Sequence, residues 1–252
     1  MHRFFISEDC LTESVVAIPS RLVHRLRHVL RMKAGDRIVV LDNSGWEYEV
    51  ELRTVGAGRL EGVVIGKSPA AGEPQTRITL YQALLKGSKF ETVVQKCTEV
   101  GATAFVPLIC ERCVAEEPAG NRVSRWQKII LEAAQQSRRG RIPVLYPVSR
   151  FKEACESAAG IAFMPWEGEV ERGIGDVLRR SPEVGSAQEV SIFVGPEGGF
   201  SASEVEFALG CGIKTVSLGD RILRAETAGL VASAVTLYEF GELEGGYKVK
   251  GD

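Results

Sequence analysis

Two short segments of the chain hold the residue types that could do chemistry. The first is Gly195-Pro196-Glu197-Gly198-Gly199, directly after the apolar run Val190–Val194. Glycines around a Pro-Glu pair let backbone amides approach a ligand closely. The second runs from Leu218-Gly219 through Ile222, Leu223 and Arg224 to Ala225-Glu226-Thr227-Ala228, again just after an apolar run. Glu197, Arg224 and Glu226 are ionisable side chains within these segments. Each segment alone has an ordinary explanation. The first could be a tight turn, and Glu226 in a first helical turn could simply complement the helix dipole. Together they place two carboxylates and a guanidinium where open α/β sheets bind ligands.

Other signatures are missing. No GxGxxG follows a strand, and no GxSxG or HExxH occurs. Gly62–Ser68 is one residue short of a phosphate-binding loop and runs into Pro69, where a helix should begin. Cys110 and Cys113 form a lone CxxC with no second ligand pair, so the expected reading is small residues at a strand end, with neither zinc nor a redox dithiol. His2, His24 and His28 all lie near the amino end. Proton transfer in the rest of the chain must therefore use Glu, Asp, Lys, Arg or the backbone.

The elements that must position these residues fall into two groups. Residues 1–70 read as a small β domain with one helix. Leu22, Val23, Leu26, Val29 and Leu30 share an apolar arc, opposite Arg21, His24, Arg25, Arg27, His28 and Arg31. Short strands follow, separated by Asp42–Gly45 and by a Gly56-Ala57-Gly58 turn, a pattern that suggests a barrel or sandwich. Residues 71–75 lie in a Pro-, Gly- and Ala-rich stretch read as a linker. From 76 to 252, continuous apolar strands alternate with amphipathic helices, which implies a parallel sheet covered on both faces. Ser201 and Glu204 form a capping box. The last helix, from about Ala225 to Phe240, is apolar nearly all round, which suggests burial on both sides and a subunit interface.

Composition narrows the class further. The chain has 252 residues, 44% hydrophobic and 25% charged, with a net charge of −2, which excludes a disordered or fibrous chain. No apolar run is long enough for a transmembrane helix, and the start lacks an export signal, so reduced thiols and a cytoplasmic location are expected. Near-neutrality argues against coating nucleic acid by bulk charge, yet the charge is uneven. Arg21 to Arg37 holds six basic residues against Asp36 alone. Lys86 and Lys89 cluster further on, as do Arg138, Arg139 and Arg141. From Glu153 to Glu189, a span that includes Arg180 and Glu183, acidic residues outnumber basic ones.

Five segments then make a resemblance specific. They are Arg3-Phe4-Phe5, His28–Arg31 with Gly35-Asp36, Lys96–Gly101, Gly195–Phe200, and Leu218-Gly219 with Ile222–Ala228. In this order they resemble the RsmE family of ribosomal RNA uridine-N3 methyltransferases, of the SPOUT superfamily. Gln135 and Cys113 depart from the family pattern, where an acidic residue and Ser are usual.

The resemblance implies an α/β domain with a carboxy-terminal deep trefoil knot, preceded by a PUA-like β-barrel that binds RNA. It implies S-adenosylmethionine held by Gly195, Pro196, Glu197, Gly198, Leu218, Gly219, Ile222, Leu223 and Arg224, with Pro165-Trp166-Glu167 as a third wall. Arg224, Glu226 and Glu197 are the expected catalytic residues. Arg3, Arg21, Arg25, Arg27, His28, Arg31, Lys86, Lys89 and Arg138 are the expected RNA contacts. The expected partners are small-subunit ribosomal RNA and a second copy of the chain, with no metal and no membrane. The alternative is a non-catalytic RNA-binding or ribosome assembly factor carrying a degenerate methyltransferase domain.

Overall fold

The computed structural model describes residues 1–12, 14–56, 59–179 and 188–243. Ala57 and Gly58 of the expected turn, and Arg180 and Glu183 of the acidic stretch, lie outside the described residues. The chain divides into two compact units. One is Met1–Glu73 with Leu131–Ile142; the other is Pro74–Ile130 with the chain from Pro143.

The first unit is a five-stranded sheet of β1 (Arg3–Phe5), β2 (Val15–Ala17), β3 (Arg37–Leu41), β4 (Trp46–Gly56) and β5 (Arg59–Pro69), in the order β1-β3-β4-β5-β2. The hydrogen-bonded path leaves β1 and β2 at its two edges, so the unit is a half-barrel, open at one side, which fits the expected small β-barrel. Register shifts at Glu49/Val50 and Leu52/Thr54 bend the long β4–β5 hairpin and curl the sheet over its core. That core is Phe4, Val16, Ile38, Val40, Val50 and Leu52, closed by Val23 and Leu26 from the helical segment. The opposite face takes Leu131, Ala134 and Ile142 against Phe5, Val39 and Leu41.

The amphipathic segment is α1 (Ser20–His24) followed by a π-helical turn, Arg25–Val29. Leu30 N–H donates to the Arg25 carbonyl, an i→i+5 bond. A wider turn rotates the chain less per residue than an α-helix. Val29 consequently lags out of the apolar arc and is 65% exposed, contrary to the expected face. Arg31 ends the turn with φ of 52°, a left-handed conformation.

The segment read as a linker is tied down. Ala70 is buried and its N–H donates to Gly45. Glu73 accepts from Arg139 Nε at 3.0 Å, and from the N–H groups of Gly140 and Arg141. Arg139 is only 2% exposed.

The second unit is a parallel sheet covered by helices, as expected from the continuous apolar strands. It contains β6 (Arg77–Ala83), α2 (Lys89–Val100), β7 (Ala104–Ile109), the start of α3 (Gly120–Gln136), β8 (Val144–Leu145), β9 (Ser149–Arg150), α4 (Phe151–Glu156), β10 (Ile161–Pro165), α5 (Ile174–Leu178), β11 (Glu189–Val194), α6 (Ala202–Gly210), β12 (Lys214–Val216) and α7 (Ala225–Glu239). The order is β12-β10-β11-β6-β7-β8, with β9 also on β7, and every pair is parallel. On one face Tyr81 stacks on Phe193 at 4.3 Å, and the cluster continues to Phe151, Phe200 and Val205. On the other, Gly229 of α7 lies against Leu80 and Gln82 of β6, where a Cβ would stand 3.0 Å from the Gln82 amide oxygen. α7 buries Ala228, Gly229, Ala232, Ser233 and Thr236, but leaves Leu230 and Val231 half-buried and Tyr238 exposed. Within one chain its outer face is therefore only partly covered.

A Glu73→Ala variant loses the carboxylate that accepts from the buried Arg139 and from the N–H groups of Gly140 and Arg141. A loss of about 3–5 kcal/mol is expected, read as a fall of 1 M or more in the urea midpoint. A midpoint matching the wild type would show that the pair does not hold this segment.

Candidate functional site

Parallel pairing puts the carboxyl ends of β6, β7, β10, β11 and β12 along one sheet edge. A cavity of about 650 Å³ opens there, walled by the loops after β10, β11 and β12 and by the first turns of α2 and α7. This size suits a drug-sized ligand.

The loop after β11 is held in shape by its own residues. Gly199 has φ of 69°, which favours glycine. At Gly195 a Cβ would stand 3.2 Å from the Phe200 ring, so the chain passes the aromatic closely. The capping box forms as expected: Ser201 N–H donates to Glu204 Oε2 at 2.9 Å, and Glu204 N–H donates to Ser201 Oγ at 3.3 Å. The turn after β7 braces the same loop. Ser201 Oγ donates to Glu111 Oε2 at 2.6 Å, and Arg112 donates to the Gly198 carbonyl at 3.0 Å.

The loop after β12 makes the facing wall. Gly219 turns it with φ of 92°, and its N–H donates to Ser217 Oγ at 3.2 Å. Arg224 caps α7 through its carbonyl, which accepts from Thr227 and Ala228, and its side chain is exposed at the cavity. Ile222 is 89% exposed. Pro165, Trp166 and Glu167 line the cavity from β10, and Trp166 N–H donates to the Val216 carbonyl.

Lys89 faces both carboxylate candidates. Lys89 Nζ lies 3.0 Å from Glu197 Oε1 and 3.8 Å from Glu226 Oε2. Burial raises the Glu197 pKa, but the Lys89 ammonium and the Lys86 N–H outweigh it and hold the carboxyl below its usual range. Glu197 is thus a firmly ionised, weak base. Glu226 Oε2 is buried and accepts no hydrogen bond among the described residues.

The cavity thus gathers every expected cofactor and catalytic residue except Gly198, which points its carbonyl at Arg112. It also gathers Lys89, which the sequence grouped with RNA contacts. Arg112 and Glu111 escaped sequence reading, although their place after an apolar strand was the available signal. Among the expected RNA contacts, Arg21, Arg25, His28, Arg31, Lys86 and Arg138 are exposed, and Arg27 is half-buried. Arg25 lies over the Phe4 ring at 5.6 Å. Arg3 is turned inward, 2.7 Å from Glu47. Arg139 and Arg141 are engaged with Glu73 and the Ser44 carbonyl, so two members of that expected basic cluster are structural. Among the described residues no group of three or more His, Cys, Asp or Glu could hold a metal ion.

Cys110 and Cys113 flank the bracing turn. The hydrogen bond between the two sulfurs stabilises the Cys113 thiolate and lowers its pKa to about 7, while the same bond and burial push Cys110 up. Burial pushes Cys97 and Cys155 to about 12. Iodoacetamide should therefore label Cys113 ahead of those three, with a rate midpoint near pH 7 in peptide mass spectra. A midpoint above pH 8.5 would contradict this arrangement.

Comparison with known proteins agrees with this geometry. The model of the RNA methyltransferase domain matches residues 72–237, and that of the RNA methyltransferase PUA domain matches residues 23–65. Ribosomal RNA small subunit methyltransferase E of Bacillus subtilis is 32% identical, covering 97% of this chain and 99% of its own. The Synechocystis protein of the same name is 34% identical over 92% of this chain and 76% of its own. The crystal structure of the Neisseria gonorrhoeae enzyme bound to S-adenosyl methionine superposes with a TM-score of 0.83 at 31% identity, covering 94% of this chain and 97% of that one. A two-loop cavity at a parallel sheet edge, joined to these matches along almost the whole chain, makes this protein a member of the ribosomal RNA small subunit methyltransferase E family.

Proposed function

We propose that this chain methylates N3 of a uridine in small-subunit ribosomal RNA, using S-adenosylmethionine, as a cytoplasmic homodimer whose site loops form a trefoil knot. The observation that carries the reading is the cavity between the loops after β11 and β12, where Lys89 faces Glu197 and Glu226. The residues present fit the cofactor. Glycine-rich backbone and apolar side chains suit an adenosine, and a locally negative set of charges suits a sulfonium cation and disfavours a phosphate. The backbones of Gly195, Glu197, Leu218, Gly219, Ile222 and Leu223 would hold it, beside Trp166.

When bound, S-adenosylmethionine supplies an electrophilic methyl group without a metal. The chain must hold the uracil in line and favour loss of its imide proton. Uracil N3 is a poor nucleophile until that proton leaves, so a positioned base contributes roughly 10²–10⁴-fold. Glu226, whose Oε2 accepts no hydrogen bond among the described residues, is the candidate to take that proton or hold the base edge. Glu197, ionised and ion-paired, orients its loop. Arg224, exposed at the cavity, stabilises negative charge on a uracil oxygen. The half-open outer face of α7 supports a second copy of the chain as its cover. In the first unit, Arg21, Arg25, Arg27, His28 and Arg31 offer a basic face to RNA and Arg138 adds a contact outside it; Lys86 is an exposed contact of the second unit. No helix among the described residues is long and apolar enough to cross a membrane.

Arg224→Ala should keep S-adenosylmethionine affinity in calorimetry, since its backbone does the holding, yet lose about 10²-fold or more in methyl transfer to ribosomal RNA. Normal turnover would remove the charge role. A wild type without cofactor affinity would favour the non-catalytic RNA-binding alternative. The double variant Arg25→Ala/Arg31→Ala should bind RNA more weakly, with the slope of log affinity against log salt reduced by about 2. An unchanged slope would place RNA elsewhere.

A further inference from the structure

Lys89 sits in the first turn of α2, between the two site loops. Its Nζ reaches Glu197 on the loop after β11 at 3.0 Å, and Glu226 at the start of α7 at 3.8 Å. The main-chain N–H of Lys86 adds a donor to the same Glu197 oxygen at 3.3 Å. The amino end of α2 thus meets a carboxylate from each loop. The lysine side chain is 37% exposed and the Glu226 side chain 16%, so water and salt screen these charges less than fully exposed ones.

We propose that Lys89 is a positioning residue of the methyl-transfer site, clamping the loops through Glu197 and Glu226, and not an RNA phosphate contact. This rests on the reading of the cavity as an S-adenosylmethionine site. A phosphate contact would require the ammonium to leave both carboxylates, putting two like charges on one cavity wall. Held in place, the ammonium neutralises one of the two. This lowers the repulsion between the two carboxylates and keeps both loops at their spacing.

The test compares Lys89→Met and Lys89→Arg with the wild type. It measures S-adenosylmethionine affinity by calorimetry and the salt dependence of RNA binding in the absence of cofactor. Lys89→Met should weaken cofactor binding about 5- to 10-fold, with RNA affinity and salt slope unchanged, and Lys89→Arg should recover most of the loss. Unchanged cofactor affinity with a salt slope reduced by about 1 would overturn the proposal and make Lys89 a phosphate contact. Equal losses in the Met and Arg variants would overturn the ion-pair account. Lys89→Gln replaces Lys89→Met if the latter fails to fold. A wild type that binds RNA but no S-adenosylmethionine would overturn the cavity reading itself, and the proposal with it.

Discussion

Parallel hydrogen bonding between β12, β10, β11, β6 and β7 forces the carboxyl end of each strand onto a single edge, and the site exists because of that constraint. Lys89, the Cys110–Cys113 turn, Trp166, Glu197 and Arg224 are scattered over much of the chain, yet each follows one of these strands. The pairing register also sets which side chains are buried. Phe193 stands opposite Tyr81 and the two rings stack; a slip of one residue would turn each strand's aromatic side to the other face. Side-chain packing and loop placement are consequences of the same ladder.

Once the loops share an edge, charge does the fine positioning. Ser201 and Glu204 cap α6 and fix the exit of the loop after β11. Glu111 and Arg112 grip that loop from the neighbouring strand, and Lys89 faces it from α2. A carboxylate surrounded by donors stays ionised and keeps its geometry, at the expense of basicity. This separates the two glutamates: Glu197 is surrounded by donors, while Glu226 keeps an oxygen without one.

In the first unit, basic residues that look alike in sequence have different fates. Arg139 is buried against Glu73, Arg141 holds the Ser44 carbonyl, and Arg3 faces Glu47. Arg21, Arg25 and Arg31 remain on the surface of a helical segment whose last turn is π-helical. The net charge of −2 therefore combines structural ion pairs, an exposed basic face and an acidic site wall.

Much was legible from residues alone. Continuous apolar strands announced the parallel sheet, glycines marked the site loops, and Ser201 with Glu204 marked the start of α6. These are local signals, because period, turn chemistry and capping involve residues a few positions apart. Tertiary structure decided what depends on residues far apart in the chain. The return of Leu131–Ile142 to the first unit is set by packing on Phe5 and Leu41. The exposure of Val29 follows from one wider helical turn. Lys89 moves from a presumed surface charge to the cavity because its two partners are more than a hundred residues away. Sequence determined which groups could do the chemistry; only the fold, by bringing distant strand ends to one edge, decided which of them face each other.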